Sequence, residues 1–306
     1  MNAILVICLN PTFQRTMVFD TFLEGEVNRC THYRLDASGK GVNVARVIAE
    51  LGGEAIHLTH LGGPRTREML DMLAEDGIEP LWTDSESPIR TCTTIINSSR
   101  GTTTELVEEP APVALQTDGK IRELFTQALG RVSTVVISGT RTAGYSPNLY
   151  PDFVREAKAA GKRVILDVKG HDLERSLPFG VDVVKPNLSE FVATFMPGTR
   201  VLEQQDSHEI KDEVIKRLGQ LYDAYGTSFV LTRGAFSVWV YGDPGFFELP
   251  VEQVRAVNTI GCGDAVTAGM AHELHRGTPL AQAIDKGLAC GKANAMTLRP
   301  GTILKE

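Results

Sequence analysis

From about residue 118 to residue 232, short apolar runs alternate with segments of helical period. The spacing predicts a helix near 118–129, strand Val132–Ser138, a helix near 150–160, strand Arg163–Val168, strand Val181–Val184, a helix from about Ser189, a helix near 207–224 and strand Ser228–Thr232. Strands buried on both faces read as continuous apolar runs, and parallel neighbours need crossovers long enough to hold a helix. This stretch therefore restricts the chain to an α/β fold with a mainly parallel sheet covered on both faces. The opening run Ile4–Leu9, ended by Asn10-Pro11, is a further buried strand. Val44, Val47, Ile48 and Leu51 follow helical spacing closed by Gly52-Gly53, with strand Ala55–Leu61 and helix Arg65–Ala74 after them. Two short β segments near 236–241 and 245–249 and helices at about 263–275 and 279–297 complete the chain. Residues 12–36, and the hairpin 91–97/102–108 around Ser98-Ser99-Arg100-Gly101, break the rhythm and predict a small β appendage.

Composition removes several function classes. The 306 residues carry 31 Lys and Arg against 38 Asp and Glu, a net charge of −7, which disfavours non-specific nucleic-acid binding. No apolar run approaches the roughly 18 residues of a membrane span. Ala3–Leu9 lacks the basic flank and cleavage site of a signal peptide. Five cysteines without CxxC spacing argue against a disulfide scaffold or zinc ribbon and for a reduced, cytoplasmic enzyme.

Three segments have the composition of a phosphate site. In Gly261-Cys262-Gly263-Asp264 a glycine turn feeds an apolar helix, so unpaired amides and the helix dipole would attract an anion. Asp264 is either an N-cap or a base beside that anion hole. In Gly39-Lys40-Gly41-Val42-Asn43 a second glycine turn opens a helix with Lys40 and Asn43, without P-loop or dinucleotide-fingerprint spacing, and taken singly Lys40 reads as a solvated loop lysine or as an anion contact. In Lys185-Pro186-Asn187-Leu188-Ser189-Glu190 a strand end leads into a helix start; Asn187 and Glu190 form either a capping box or a metal and phosphate site. Arg29 and Arg90 lie in the β appendage, where each alone reads as a surface charge.

Taken in order, these segments, with Asn10-Pro11, Asn28-Arg29, Leu61-Gly62-Gly63, Arg90, Thr104-Glu105, Glu109-Pro110, Ile137-Ser138-Gly139 and Leu166-Asp167, resemble the PfkB-type, ribokinase-like carbohydrate kinases nearly end to end. The likeness is to the branch that phosphorylates sugar phosphates: 1-phosphofructokinase, the minor 6-phosphofructokinase and tagatose-6-phosphate kinase. It implies a three-layer α/β/α core in a single kinase domain over 1–306, with a β-lid from segments of about 12–36 and 89–108 that often builds a homodimer. It implies transfer of the ATP γ-phosphoryl group to a sugar hydroxyl with Mg²⁺, and small-molecule partners only. Asp264 then matches the base, and the amides of Gly261, Cys262 and Gly263 match the anion hole. Gln14, Arg29, Gly39, Lys40, Asn43 and Arg90 match the acceptor side, with Arg29, Lys40 and Arg90 on its phosphate. Lys185, Asn187, Thr232 and Gly234 match the nucleotide side, and Asn187 with Glu190 the metal site, partly through water.

The chain also departs from that pattern. Gln14 stands where the family usually has Asp, Ser38 where it has Gly, Thr140-Arg141-Thr142 where it has a Ser-Leu-Pro-like run, Lys169 where a small residue is common, and Cys262 inside the anion hole. Apart from Cys262 these lie on or near the acceptor side and imply an altered acceptor pocket. A kinase for an unphosphorylated sugar or nucleoside, and a sensor without turnover, are the competing readings.

Overall fold

Strand β1 (Ala3–Cys8) is buried at every position, and its alternate side chains enter two different cores. Leu5 and Ile7 pack toward one face of the sheet, Ile4 and Val6 toward the other. That period-two division is what a strand between two helical layers requires. The computed structural model describes residues 3–199, 201 and 208–304.

Beside β1 run β4 (Ala55–Leu61) and β5 (Glu79–Asp84) on one side, and β8 (Val132–Ser138), β9 (Arg163–Asp167), β10 (Val183–Val184) and β11 (Ser228–Arg233) on the other, all parallel. Antiparallel β12 (Phe236–Gly242) and β13 (Gly245–Leu249) complete a nine-stranded sheet. The β1 Leu5 face is covered by α3 (Thr117–Leu129), α4 (Leu149–Ala159), α5 (His171–Ser176), α6 (Leu188–Phe195) and α7 (Lys211–Tyr225), through residues such as Phe125, Phe153, Leu173, Phe191 and Leu218. The Ile4 face is covered by α1 (Lys40–Glu50), α2 (Thr66–Glu75), α8 (Cys262–His275) and α9 (Leu280–Ala295), through Val44, Met69, Met270 and Ile284.

The irregular early segments form a second sheet of four strands, in the order β3-β2-β6-β7. Its strands are β2 (Thr12–Phe19), β3 (His32–Ser38), β6 (Arg90–Asn97) and β7 (Thr102–Leu106). β2 pairs in parallel with β6 and antiparallel with β3, so Gln14 lies opposite Cys92 on one side and Asp36 on the other.

Four elements differ from the sequence reading. β5 is absent from the sequence reading, because Pro80 and a run with no buried position mark an edge strand that in sequence resembles a loop. The segment Val181–Val184 contributes only two paired residues, and α5 is a short helix that carries too few turns for a periodic signal. The helix expected near 207–224 is α7, beginning at Lys211 after a 3₁₀ turn at His208–Ile210; residue 207 lies outside the described residues.

Candidate active site

The carboxyl ends of β1, β8, β9, β10 and β11 open into a cleft of about 1380 Å³, with strands of the small sheet along one wall. This is where open parallel sheets leave room for ligands, because successive loops diverge there. Gln14, Gly39, Lys40, Asn43, Arg90, Lys185, Asn187, Glu190, Thr232, Gly234 and Gly261 through Asp264 all line it. Arg29 does not: it is exposed on the connection between β2 and β3.

At the centre stands Asp264, in the first turn of α8 and 7% exposed. Its Oδ2 accepts a hydrogen bond from Asn43 Nδ2 at 2.8 Å. Burial raises its pKa from the ordinary 3.8 to about 7; nearby Asp167 adds to the rise, while Lys40, the Asn43 bond and Lys185 restrain it. No side chain caps α8. The first amide bonded back to Gly261 is that of Ala265, and in the turn before it the Cys262 amide makes only a long contact to the Thr259 carbonyl at 3.4 Å. Gly261 makes this turn with φ +83°, and a Cβ there would lie 2.5 Å from the Gly301 amide nitrogen. Lys185 Nζ stands 3.7 Å from where a Gly263 Cβ would be, which brings a cation to the same helix end.

Around this point lysines and carboxylates converge. Lys40 Nζ is 3.4 Å from both Asp167 Oδ1 and Glu190 Oε1; Lys185 Nζ is 3.5 Å from Asp167 Oδ2; Lys169 Nζ is 3.9 Å from Glu190 Oε1. Burial works against the charge on Lys40, but Asp167, Glu190 and Asp264 outweigh it and hold its pKa above the usual lysine range. Asp167 is ionised by the reverse balance: burial pushes it up, and Lys185, Lys40 and the Thr267 hydroxyl hold it below the carboxylate range. Asp167 received no role from the sequence. Its signal was a carboxylate at the end of a parallel strand, which marks a location rather than a function.

At the other helix start, Asn187 caps α6: its Oδ1 accepts from the Glu190 amide at 2.7 Å, and Glu190 Oε2 accepts from the Asn187 amide at 3.2 Å. The capping box exists, and Glu190 still turns Oε1 toward the lysines in the cleft. Among the described residues no cluster of three or more His, Cys, Asp or Glu side chains is arranged around a metal position.

In the small sheet, Gln14 is buried and donates to Thr94 Oγ1 at 2.8 Å. Arg90 donates to the Glu108 carbonyl at 2.9 Å. The other unusual residues separate. Ser38 and Lys169 line the cleft, whereas Arg141 is tied to Asp172 at 3.1 Å and is not part of the lining. The cleft also has apolar lining from Val238, Val251, Val254, Ile260 and Leu288, interspersed with Glu252, Gln253, Asp285 and Lys292. The apolar residues carried no sequence signal, because apolar side chains in a slot and in a core have the same composition.

The sequence profile of the pfkB family of carbohydrate kinases matches residues 8–305. The chain belongs to that family. It is a carbohydrate kinase, transferring phosphate to a hydroxyl group. It is similar to the tagatose-6-phosphate kinase of Staphylococcus epidermidis, 27% identical over 302 residues that cover 98% of this chain and 94% of the relative. The tetrameric inhibited form of phosphofructokinase-2 from Escherichia coli superposes with a TM-score of 0.83 at 24% identity, covering 97% of this chain and 95% of that one. The same enzyme in complex with fructose-6-phosphate superposes with a TM-score of 0.83 at 22% identity, covering 97% and 94%. These likenesses confirm the ribokinase-like α/β architecture and the family expected from the motifs. Among the described residues no helix is long and apolar enough to cross a membrane.

Proposed function

We propose that the chain is a sugar-phosphate kinase, moving the γ-phosphoryl group of ATP to a hydroxyl of a fructose 1-phosphate, fructose 6-phosphate or tagatose 6-phosphate class acceptor. The observation that carries this reading is Asp264: a buried carboxylate with a pKa near 7, beside an uncapped helix amino terminus, in a cleft that also holds Lys40 and Arg90. A general base works best when its pKa is near the operating pH. Asp264 takes the proton of the attacking hydroxyl. The amides of Gly261, Cys262 and Gly263, with Lys185 beside them, receive the charge on the transferring phosphoryl group. Asn43 orients Asp264 and the sugar, Gln14 and Gly39 border the acceptor, and Lys40 and Arg90 supply cations for its phosphate. Thr232 and Gly234 border the nucleotide, whose base packs against apolar lining residues such as Val251 and Leu288.

Mg²⁺ fits the donors present. Glu190 offers one hard oxygen toward the cleft, a suitable ligand for an ion that keeps most of its waters and binds phosphate, and Asn187 would act through water. When bound, the ion supplies neutralisation of phosphate charge.

The reading includes one kinase domain with the four-stranded sheet as its lid, in the cytoplasm, and a homodimer formed through that lid. Leu23, Val27 and Tyr33 are exposed there, and Arg29 lies on the same loop, outside the cleft of its own chain. Sedimentation analysis tests the dimer: a monomer at micromolar concentration removes it.

ATP consumption with Mg²⁺ across fructose 1-phosphate, fructose 6-phosphate, tagatose 6-phosphate, free sugars and nucleosides tests the function. Strong turnover with one phosphorylated ketose is expected. Turnover only with an unphosphorylated acceptor would mean that Lys40 and Arg90 serve the donor instead. Nucleotide binding without turnover on any acceptor would favour a sensor.

A further inference from the structure

A largely buried chain of ion pairs and hydrogen bonds joins the lid to the proposed base. Asp36 on β3 is forked by Arg34 at 2.6 and 2.9 Å and lies 3.1 Å from Arg299 Nε. Arg299 Nη2 donates to Asp76 at 2.6 and 2.8 Å, and Asp76 also accepts from Arg46 Nε at 2.8 Å. Arg46 is 1% exposed. Its Nη1 donates to Asn43 Oδ1 and to the Pro300 carbonyl, each at 3.1 Å, and its Nη2 donates to the Ala37 carbonyl on β3. Asn43 then donates to Asp264.

An asparagine amide has two ends of nearly equal shape, so what meets one end decides what the other presents. Asn43 Oδ1 meets Ser38 Oγ at 3.1 Å and Arg46 Nη1 at 3.1 Å. A hydroxyl can turn to accept as well as donate, but a guanidinium cannot accept. With Arg46 in place, a flipped amide would set N–H against N–H at one end and oxygen against carboxylate at the other. Gly301 walls Asn43 in from the side, since a Cβ there would fall 2.3 Å from Asn43 Cβ. A buried guanidinium is costly to desolvate, and an apolar side chain would fill its space at lower cost, so its presence calls for a purpose besides packing.

We propose that Arg46 is a positioning residue for phosphoryl transfer. It holds the Asn43 amide with its nitrogen toward Asp264, and through Ala37 and the Asp76–Arg299–Asp36 contacts it makes that orientation depend on how β3 of the lid is seated. The inference rests on the reading of Asp264 as the base.

The test compares Arg46→Lys, Asn43→Ala and the double variant, with Asp36→Asn at the lid end, Asp264→Asn as control and melting temperature followed throughout. Arg46→Lys puts one ammonium where three nitrogens serve Asp76, Asn43 and Ala37 together, and is expected to lower kcat by about 10²-fold, as misplacement of a reacting group does, with KM for ATP little changed. It adds nothing further in the Asn43→Ala background, because both changes remove the same orientation. The acid limb of the pH profile moves to higher pH in Arg46→Lys. Lys40, Asp167 and Lys185 also face Asp264 and are unaltered, so the shift reports the Asn43 bond. Asp36→Asn gives a smaller loss of kcat in the same direction. Additive losses, or a lowered melting temperature with unchanged kcat, overturn the proposal. If Arg46→Lys does not fold, Asp36→Asn and Arg299→Gln carry the test: unchanged kcat in both overturns it. Full turnover in Asp264→Asn would remove the base and this inference together, whereas a dead Asp264→Asn beside an unimpaired Arg46→Lys would remove the inference alone.

Discussion

Two helix starts face the same cleft, each with a carboxylate in its first turn, and they are built in opposite ways. At α6, Asn187 and Glu190 satisfy each other's amides in a closed capping box. At α8 the cap is Gly261, no side chain reaches back, and Asp264 turns away to Asn43. A capped start commits its donors to its own helix; an uncapped one keeps them for a ligand. The same functional group therefore closes a cap at one place and at the other is held by a residue of a different helix.

The sharpest way to break this contrast is at the carboxylate of α8. Asp264→Asn is expected to lose at least about 10²–10⁴-fold in turnover, measured as ATP consumption with the best acceptor. Undiminished turnover would reduce Asp264 to another first-turn carboxylate. The intact enzyme's kcat/KM should fall about tenfold per pH unit below an inflection near 7, since the proposed base acts in its ionised form. A flat profile down to pH 5 would contradict the pKa that burial imposes.

The same shift has a stability consequence. A carboxyl with a folded pKa near 7 and an unfolded pKa near 3.8 holds its proton longer in the folded state. Its contribution to stability therefore falls as pH rises between those values. Asp264→Asn should melt roughly 2 °C or more above the parent protein at pH 8, with the difference vanishing toward pH 4. At α6 the expectation is reversed in kind: Asn187→Ala should cost about 0.5–2 kcal/mol of stability through loss of the cap, read by denaturant unfolding. The smallest effect is expected at Cys262→Ala, where the backbone amide is retained. Burial raises that thiol's pKa to about 11, so it is not a nucleophile at neutral pH. Turnover within a few-fold of the parent is expected, and a loss as large as that of Asp264→Asn would show that the side chain itself takes part.

Much of the fold was legible in sequence because its signals are local. Ala55–Leu61 and Val132–Ser138 are apolar runs bounded by turns, and they are strands with those bounds. β5 was not legible, since an edge strand with Pro80 lacks the apolar run that marks a buried one. Within the cleft, glycine turns and strand ends announced where Lys40, Asn187 and Asp264 would stand, but not what each would meet. Arg29 carried the same sequence signal as Arg90, yet only Arg90 lines the cleft.

By itself the sequence determined the layered α/β architecture, the family and the segments that supply the cleft, because periodicity, turn chemistry and motif order act over a few residues. Only the tertiary structure decided that Asn187 is a cap while Asp264 is not, and that Asp167 joins Lys40 to Lys185. It alone decided that Arg46 lies behind Asn43, 3.1 Å from its oxygen. These outcomes depend on burial and on partners distant in sequence, 221 residues apart for Asn43 and Asp264 and 254 for Arg46 and Pro300. Desolvation and pairing are properties of the assembled interior, and no local pattern encodes them.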